Sequence, residues 1–209
     1  VTSFQIKLLA AILMVIDHIG QVFFPNILAF KAIGRLSFPL FAWLIGQGEK
    51  YTHNFKIYLL RLIGLGLISQ PFYYFLFQDY RPNILLTLAL GLLAIRLDKI
   101  THLRLVFTCI LALVAQLIQT DYGAYGVFLI VLLSYFDSKK IIAWVLWIFL
   151  NLGTPIVYSI HPIQLLAIFA PFILLTWNGQ QGQKAKWFYW FYPLHLAVLL
   201  LIKQAGLFN

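Results

Sequence analysis

The sequence predicts an all-α, polytopic membrane helix bundle, and three observations carry that prediction. Of 209 residues, 62% are hydrophobic and only 10% are charged, with a mean hydropathy of +0.90. A chain of that composition has too little polar surface to stand as a soluble domain. Its apolar runs are long and continuous rather than alternating, which excludes barrel strands and leaves helices as the spanning element. Lysine and arginine gather in every second connection, the bias that orients inserted helices. A single domain over 1–209 is expected, with no soluble appendage.

Nine stretches qualify as spans: 4–24, 27–47, 56–77, 83–97, 103–119, 122–136, 140–158, 162–177 and 186–203. The fourth and sixth have about 15 residues against the roughly 20 that span comfortably, so a tilt, an extension into the flanks or a re-entrant path is expected there and the count is eight to ten. Lys50 and Lys56 divide the second stretch from the third; Arg96, Lys99 and Arg104 divide the fourth from the fifth. Lys139 and Lys140 precede the seventh, and Lys184 and Lys186 the ninth. Those connections are read as cytoplasmic, while Lys31, Arg35, Arg81 and Lys203 fall on the other side. The N-terminus is then cytoplasmic and Asn209 external. The formal charge of +9 follows from this topology and from anionic lipid, because no basic stretch has the length or setting of a nucleic-acid site.

Several chemistries are disfavoured. The single Cys109 lies in the fifth stretch, where a buried apolar thiol is expected and no intrachain disulfide can form. His18, His53, His102, His161 and His195 show no paired ligand spacing, so no intrinsic metal site is expected. The first stretch has internal charges and no small-residue cleavage site after it, unlike a signal peptide. The only methionine is Met14, so Val1 is read as a non-Met start or as the end of a trimmed chain.

The first stretch carries Lys7, Asp17 and His18 in an otherwise lipid-soluble run, and ionisable groups at membrane depth mark function. Lys7 and His18 are eleven positions apart, almost three turns, so they share a face with Ala11 and Met14 and lie roughly 16 Å apart along the axis. In the second stretch, Gly34-Arg35-Leu36-Ser37-Phe38-Pro39 has two readings: a snorkelling arginine beside a proline kink, or a fixed cation and a freed Arg35 carbonyl facing the pocket of His18. Asn83 and Asp121 read either as helix N-caps or as pocket residues, together with Thr87 and Tyr122. In the last stretch, Pro193 frees the carbonyl of Tyr189 ahead of His195, which reads as a packing residue or as part of the same pocket with Tyr192.

Taken together, Lys7-Leu8-Leu9-Ala10, Met14-Val15-Ile16-Asp17-His18-Ile19-Gly20, Gly34 to Ala42, Leu59-Leu60-Arg61-Leu62 with Ile68-Ser69-Gln70, Asn83 to Leu88, Asp121 to Val127 and Tyr192-Pro193-Leu194-His195-Leu196 resemble the successive blocks of the TraX family. That family is named for a conjugation protein that N-acetylates pilin, and it is similar to the wider group of transmembrane acyltransferases that use acyl-CoA. The resemblance implies a bacterial inner-membrane enzyme that transfers acetyl from cytoplasmic acetyl-CoA to an amine or hydroxyl. It implies Lys7 as the phosphate contact, where the wider group usually has arginine, and His18 as general base. Asp17 lies about 100° around the helix from His18, so it is expected to pair with Arg35 or with another helix's donor. Arg35 or His195 would stabilise the oxyanion, and Asn83, Thr87, Asp121, Tyr122 and Tyr192 would line the substrate pocket. With no serine or cysteine nucleophile in evidence, direct transfer is favoured over an acyl-enzyme. The rival class is a non-enzymatic membrane protein, either a small transporter or an accessory subunit of a larger membrane complex.

Overall fold

The computed structural model describes residues 1–101, 103–158, 162–185 and 187–206. His102, His161, Lys186 and Asn209, which figure in the sequence expectations, lie outside the described residues. Every regular element among those described is helical. Ser3–Phe23, Leu28–Tyr51 and Phe55–Phe77 are each long and apolar enough to cross a membrane. The polytopic helical bundle foreseen from composition is therefore the fold. Two compact units can be distinguished, Val1–Leu44 with Tyr135–Ala185 and Ile45–Ser134 with Lys186–Asn209, and each is described by itself.

The first unit is built on α1 (Ser3–Phe23), whose start is closed by a capping box. Thr2 Oγ1 accepts from the Gln5 amide and Gln5 Oε1 from the Thr2 amide, satisfying donors that a helix start leaves orphaned. The connection after residue 175 supplies the rest. The Val1 ammonium donates to the Thr176 carbonyl at 2.7 Å, and the Ser3 and Phe4 amides donate to Gln180 and Gln181. The chain start and the connection carrying Lys184, both read from sequence as cytoplasmic, thus meet at one end of the unit.

The second apolar stretch is not one kinked helix. It divides into α2 (Leu28–Gly34) and α3 (Ser37–Tyr51), broken at Arg35-Leu36. Pro39 falls in the first turn of α3, where a helix needs no N–H, so the interruption lies upstream of the proline instead of at a kink around it. Ser37 Oγ donates to the Ala10 carbonyl at 2.8 Å and ties the break to α1. The remainder of this unit is α8 (Ile141–Tyr158), a 3-10 segment (Pro162–Phe169) and α9 (Ala170–Leu174). Trp147 Nε1 of α8 donates to the Ile168 carbonyl at 3.0 Å. At three residues per turn, Gln164, Ala167 and Ala170 eclipse one another, and all three are buried.

The second unit contains the end of α3, α4 (Phe55–Phe77), α5 (Ile84–Thr101), α6 (Arg104–Leu117), α7 (Gly123–Ser134) and α10 (Phe188–Gln204). The fourth apolar stretch resolves its shortness by extension: α5 has 18 residues, about 27 Å of helix. The sixth remains short. With 12 residues, nine of them buried, α7 is a core helix of about 18 Å packed against α5 and α6 and needs little lipid-facing surface. Gly91 permits the close approach, since a Cβ there would come 2.4 Å from Ile130 Cδ1. Cys109 corrects the expectation of a buried thiol: it is exposed, on the α6 face shared with Leu105, Val106, Leu113 and Leu117. That apolar stripe is suited to lipid.

Candidate functional site

Asp17 and Arg35 form the centre of the first unit. Asp17 is 8% exposed, and its carboxylate lies over Gly34, the last residue of α2. Arg35 Nη2 donates to Asp17 Oδ1 at 2.7 Å and to Oδ2 at 3.0 Å, and Gln21, one turn along α1, also donates to Oδ2. The break after Gly34 turns the guanidinium towards α1. Its Nε donates to the Lys31 carbonyl and its Nη1 to Gln164 Oε1 of the 3-10 segment, both at 3.3 Å. Buried charges require such pairing, because an isolated carboxylate or guanidinium in a low-dielectric interior is costly. The partnership of Asp17 with Arg35 argued from sequence is present.

The glycine under the carboxylate is a strict requirement of this geometry. A Cβ at Gly34 would come within 2.3 Å of both Asp17 Cβ and Oδ1. Gly34→Ala is expected to displace Asp17 and destabilise the protein by about 1–3 kcal/mol, the range for overpacking. Gly64 in α4 is the control, because an alanine methyl there would meet nothing within 4 Å. Gly64→Ala should be neutral or mildly stabilising in the same thermal-unfolding series. Equal melting temperatures for the two variants would show that the contact over Gly34 is readily relaxed.

His18 is half-buried next to Asp17, and Lys7 is half-buried near the capped start of α1. Between them on the same stripe, Ala11 and Met14 are buried.

The other expected site residues belong to the second unit. Asn83 is 2% exposed and acts as the N-cap of α5, its Oδ1 accepting from the Leu85 amide at 3.1 Å. Its Nδ2 donates to the Gly66 carbonyl and to Gln70 Oε1, each at 2.8 Å. Thr87 Oγ1 donates to the Asp121 carbonyl, while the Asp121 amide donates to Pro82. Asn83, Thr87 and Asp121 therefore converge at one end of this unit. Tyr122 follows with φ +64°, a left-handed conformation that costs a non-glycine residue roughly 1–3 kcal/mol. The start of α7 receives a cap that the sequence reading did not foresee, Gln116 Oε1 accepting from the Ala124 amide at 3.3 Å. In the adjoining loop, hydrogen bonds from Arg81 hold the Asp79 carboxyl below its usual range. The Arg81 guanidinium is in turn held more firmly protonated, first by Asp79, with Asp121 adding to it.

On α10, His195 and Tyr192 are both buried. The His195 ring stacks on Phe191, with centroids 5.0 Å apart, and meets Tyr192 edge-on at 5.3 Å. Its Nδ1 lies 2.9 Å from the Phe191 carbonyl, one turn back. A carbonyl can only accept, so Nδ1 carries a proton and donates it to Phe191. These contacts fix the ring of His195 against its own helix, and both of its readings, packing residue and pocket residue, fit them. The structure brings Asp17, His18 and Arg35 together in one unit, and Asn83, Thr87, Asp121 and Tyr122 together in the other.

Sequence reasoning missed Gln21, Gln164 and Glu49. Glu49 is 3% exposed and pairs with Arg96 Nη1 at 3.3 Å and with Lys99 Nζ, so two cations of the basic edge are engaged by a carboxylate. Among the described residues, no three His, Cys, Asp or Glu side chains gather in a metal-ligating group.

The model of the TraX protein family matches residues 3–203, a range that includes every residue named in this geometry from Lys7 to His195. The chain belongs to the TraX family. A probable fimbrial assembly protein FimC, serogroup H1, from Dichelobacter nodosus is 32% identical across 97% of this chain and 96% of its own length. Protein TraX of Escherichia coli strain K12 is 35% identical over 88 residues, 41% of this chain and 36% of that protein. No solved structure matches. This TraX family member is thus a polytopic membrane protein with a full-length relative named for fimbrial assembly.

Proposed function

We propose that the protein is a membrane-embedded acetyltransferase of the bacterial inner membrane, moving acetyl from cytoplasmic acetyl-CoA to an amine or hydroxyl acceptor in or beyond the bilayer. The observation that carries this reading is α1 itself. It sets a cation near its capped start and a histidine almost three turns further on, beside a buried Asp17–Arg35 pair fixed from three elements. Kinship with a probable fimbrial assembly protein supports an acceptor in a surface-fibre system.

In this mechanism Lys7 holds a CoA phosphate at the inner surface as a point charge, and the pantetheine arm follows the stripe past Ala11 and Met14. His18 takes the proton from the acceptor as its nitrogen or oxygen attacks the thioester carbonyl carbon. The new C–N or C–O bond forms, the carbonyl oxygen carries negative charge in the tetrahedral intermediate, and the C–S bond then breaks. The proton on His18 passes to the departing thiolate, which leaves as free CoA. Arg35, immobilised by Asp17, supplies positive potential to the oxyanion.

Incubating the purified protein with labelled acetyl-CoA and a membrane lysate, then identifying the labelled acceptor, tests the reading. Absence of any label transfer attributable to the protein overturns it. Lys7→Gln separates donor binding from chemistry. A phosphate contact made equally in ground and transition states should raise the KM for acetyl-CoA with little change in kcat. Lys7→Arg should be mild, because it keeps a cation suited to phosphate. An unchanged KM in inserted Lys7→Gln protein removes Lys7 from the donor site and leaves it a snorkelling, topology-setting lysine.

A further inference from the structure

Gln164 is 1% exposed, and its Nε2 has no hydrogen-bond partner among the described residues. The orientation of its amide is set by chemistry: the atom facing Arg35 Nη1 must be an acceptor, since a guanidinium only donates, so Oε1 is fixed there and the NH2 group points elsewhere. A buried amide donor left without an acceptor costs about 1–3 kcal/mol, and native interiors pair nearly all of them. The same side chain sits on an eight-residue 3-10 run, longer than the three or four residues at which such helices normally stop. An amide held at one end by Arg35 and, among the described residues, unsatisfied at the other is a donor pre-set for an acceptor that arrives later.

We infer that Gln164 is a substrate-binding residue of the His18 site, its Nε2 donating a hydrogen bond to the carbonyl oxygen of the transferred acyl group. This inference rests on the acetyl-transfer reading and gives that reading a specific oxyanion donor, one supported from behind by Arg35 and Asp17. A neutral amide suits the task. It strengthens its hydrogen bond as negative charge develops on the oxygen, and it holds no net charge against the neutral thioester beforehand. Gln164 undergoes no covalent change. The acceptor's lone pair forms the new bond, the C–S pair leaves with sulfur, and the carbonyl oxygen returns to its double bond.

Gln164→Glu is the discriminating variant, because it keeps an oxygen for Arg35 while replacing the NH2 donor with an acceptor and bringing a negative charge against the developing oxyanion. In the full-length protein in lipid nanodiscs, kcat should fall about 10²-fold or more, the usual loss of one oxyanion donor. The KM for acetyl-CoA should stay near that of the natural chain, while the thermal midpoint should fall, because the new buried carboxylate has only the already engaged Arg35 beside it. Gln164→Asn, which retains the amide but withdraws it by one methylene, should lose kcat to a smaller extent. Near-normal kcat in Gln164→Glu overturns the inference and leaves acetyl transfer standing, with a trapped water as the amide's partner. If Gln164→Glu does not fold, unchanged kcat in Gln164→Asn overturns it equally. Failure of the natural chain itself to transfer label overturns the acetyl-transfer reading and this inference together.

Discussion

His18→Ala is expected to reduce the proposed acetyl transfer by about 10²-fold or more while leaving an inserted, folded protein, because removal of a general base, the role proposed for His18, typically costs 10²–10⁴-fold. The substitution leaves the main supports of α1 in place. The capping box at Thr2 and Gln5, the backbone bonds to Gln180 and Gln181, and the Asp17–Arg35 pair do not involve the imidazole. Alanine also favours the helix. Acceptor deprotonation must precede or accompany attack on the thioester, so the loss should appear in kcat and the KM for acetyl-CoA should change little. The check is steady-state and single-turnover transfer of labelled acetyl, with melting temperature measured on the same preparation. Near-normal turnover by a folded His18→Ala protein removes His18 from the chemistry.

What could be read from the sequence followed from physical necessity. Helices α1 and α4 lie within a residue or so of the stretches drawn from hydropathy, because a bilayer imposes both length and continuity on an apolar run. Asp17 and Arg35 could be matched because a lone charge at membrane depth demands an opposite one. Neutral partners make no such demand. Gln21 stands four positions after Asp17, so helical spacing within the first stretch already offers it as a partner, whereas only the folded chain brings Gln164 against Arg35. Glu49 reads in sequence as part of a polar connection, yet it is buried between Arg96 and Lys99. The break at Arg35-Leu36 is masked by uniform hydropathy, and Pro39 points to a kink slightly downstream of the real interruption. Cys109 shows the same limit: its stretch can be identified, but the α6 face it occupies depends on what α5 and α7 cover.

Breaking the Asp17–Arg35 pair should have the largest effect on stability. Asp17→Asn leaves a guanidinium whose side chain is 17% exposed without its counter-charge, and Arg35→Ala leaves a carboxylate at 11% with Gln21 as its remaining side-chain donor among the described residues. Removing one partner of a buried pair costs about 3–5 kcal/mol, chiefly as the penalty of the stranded charge. Each single variant should therefore melt far below the natural chain or fail to accumulate in the membrane. Arg35→Lys should fall between, since an ammonium can meet both Asp17 oxygens as Nη2 does at 2.7 and 3.0 Å but cannot reach the Lys31 carbonyl and Gln164 at the same time. The neutral double variant, Asp17→Asn with Arg35→Gln, separates folding from chemistry. It strands no charge, so it should recover much of the lost stability, and the coupling measured by the double-mutant cycle should be large and favourable. The proposed acetyl transfer should remain low, because the fixed cation that supplies positive potential to the oxyanion and holds Gln164 is gone. Single variants that melt like the natural chain would mean that the pair is solvated and contributes little. A double variant with restored stability and full activity would leave the pair a purely structural brace between α1 and the break after α2.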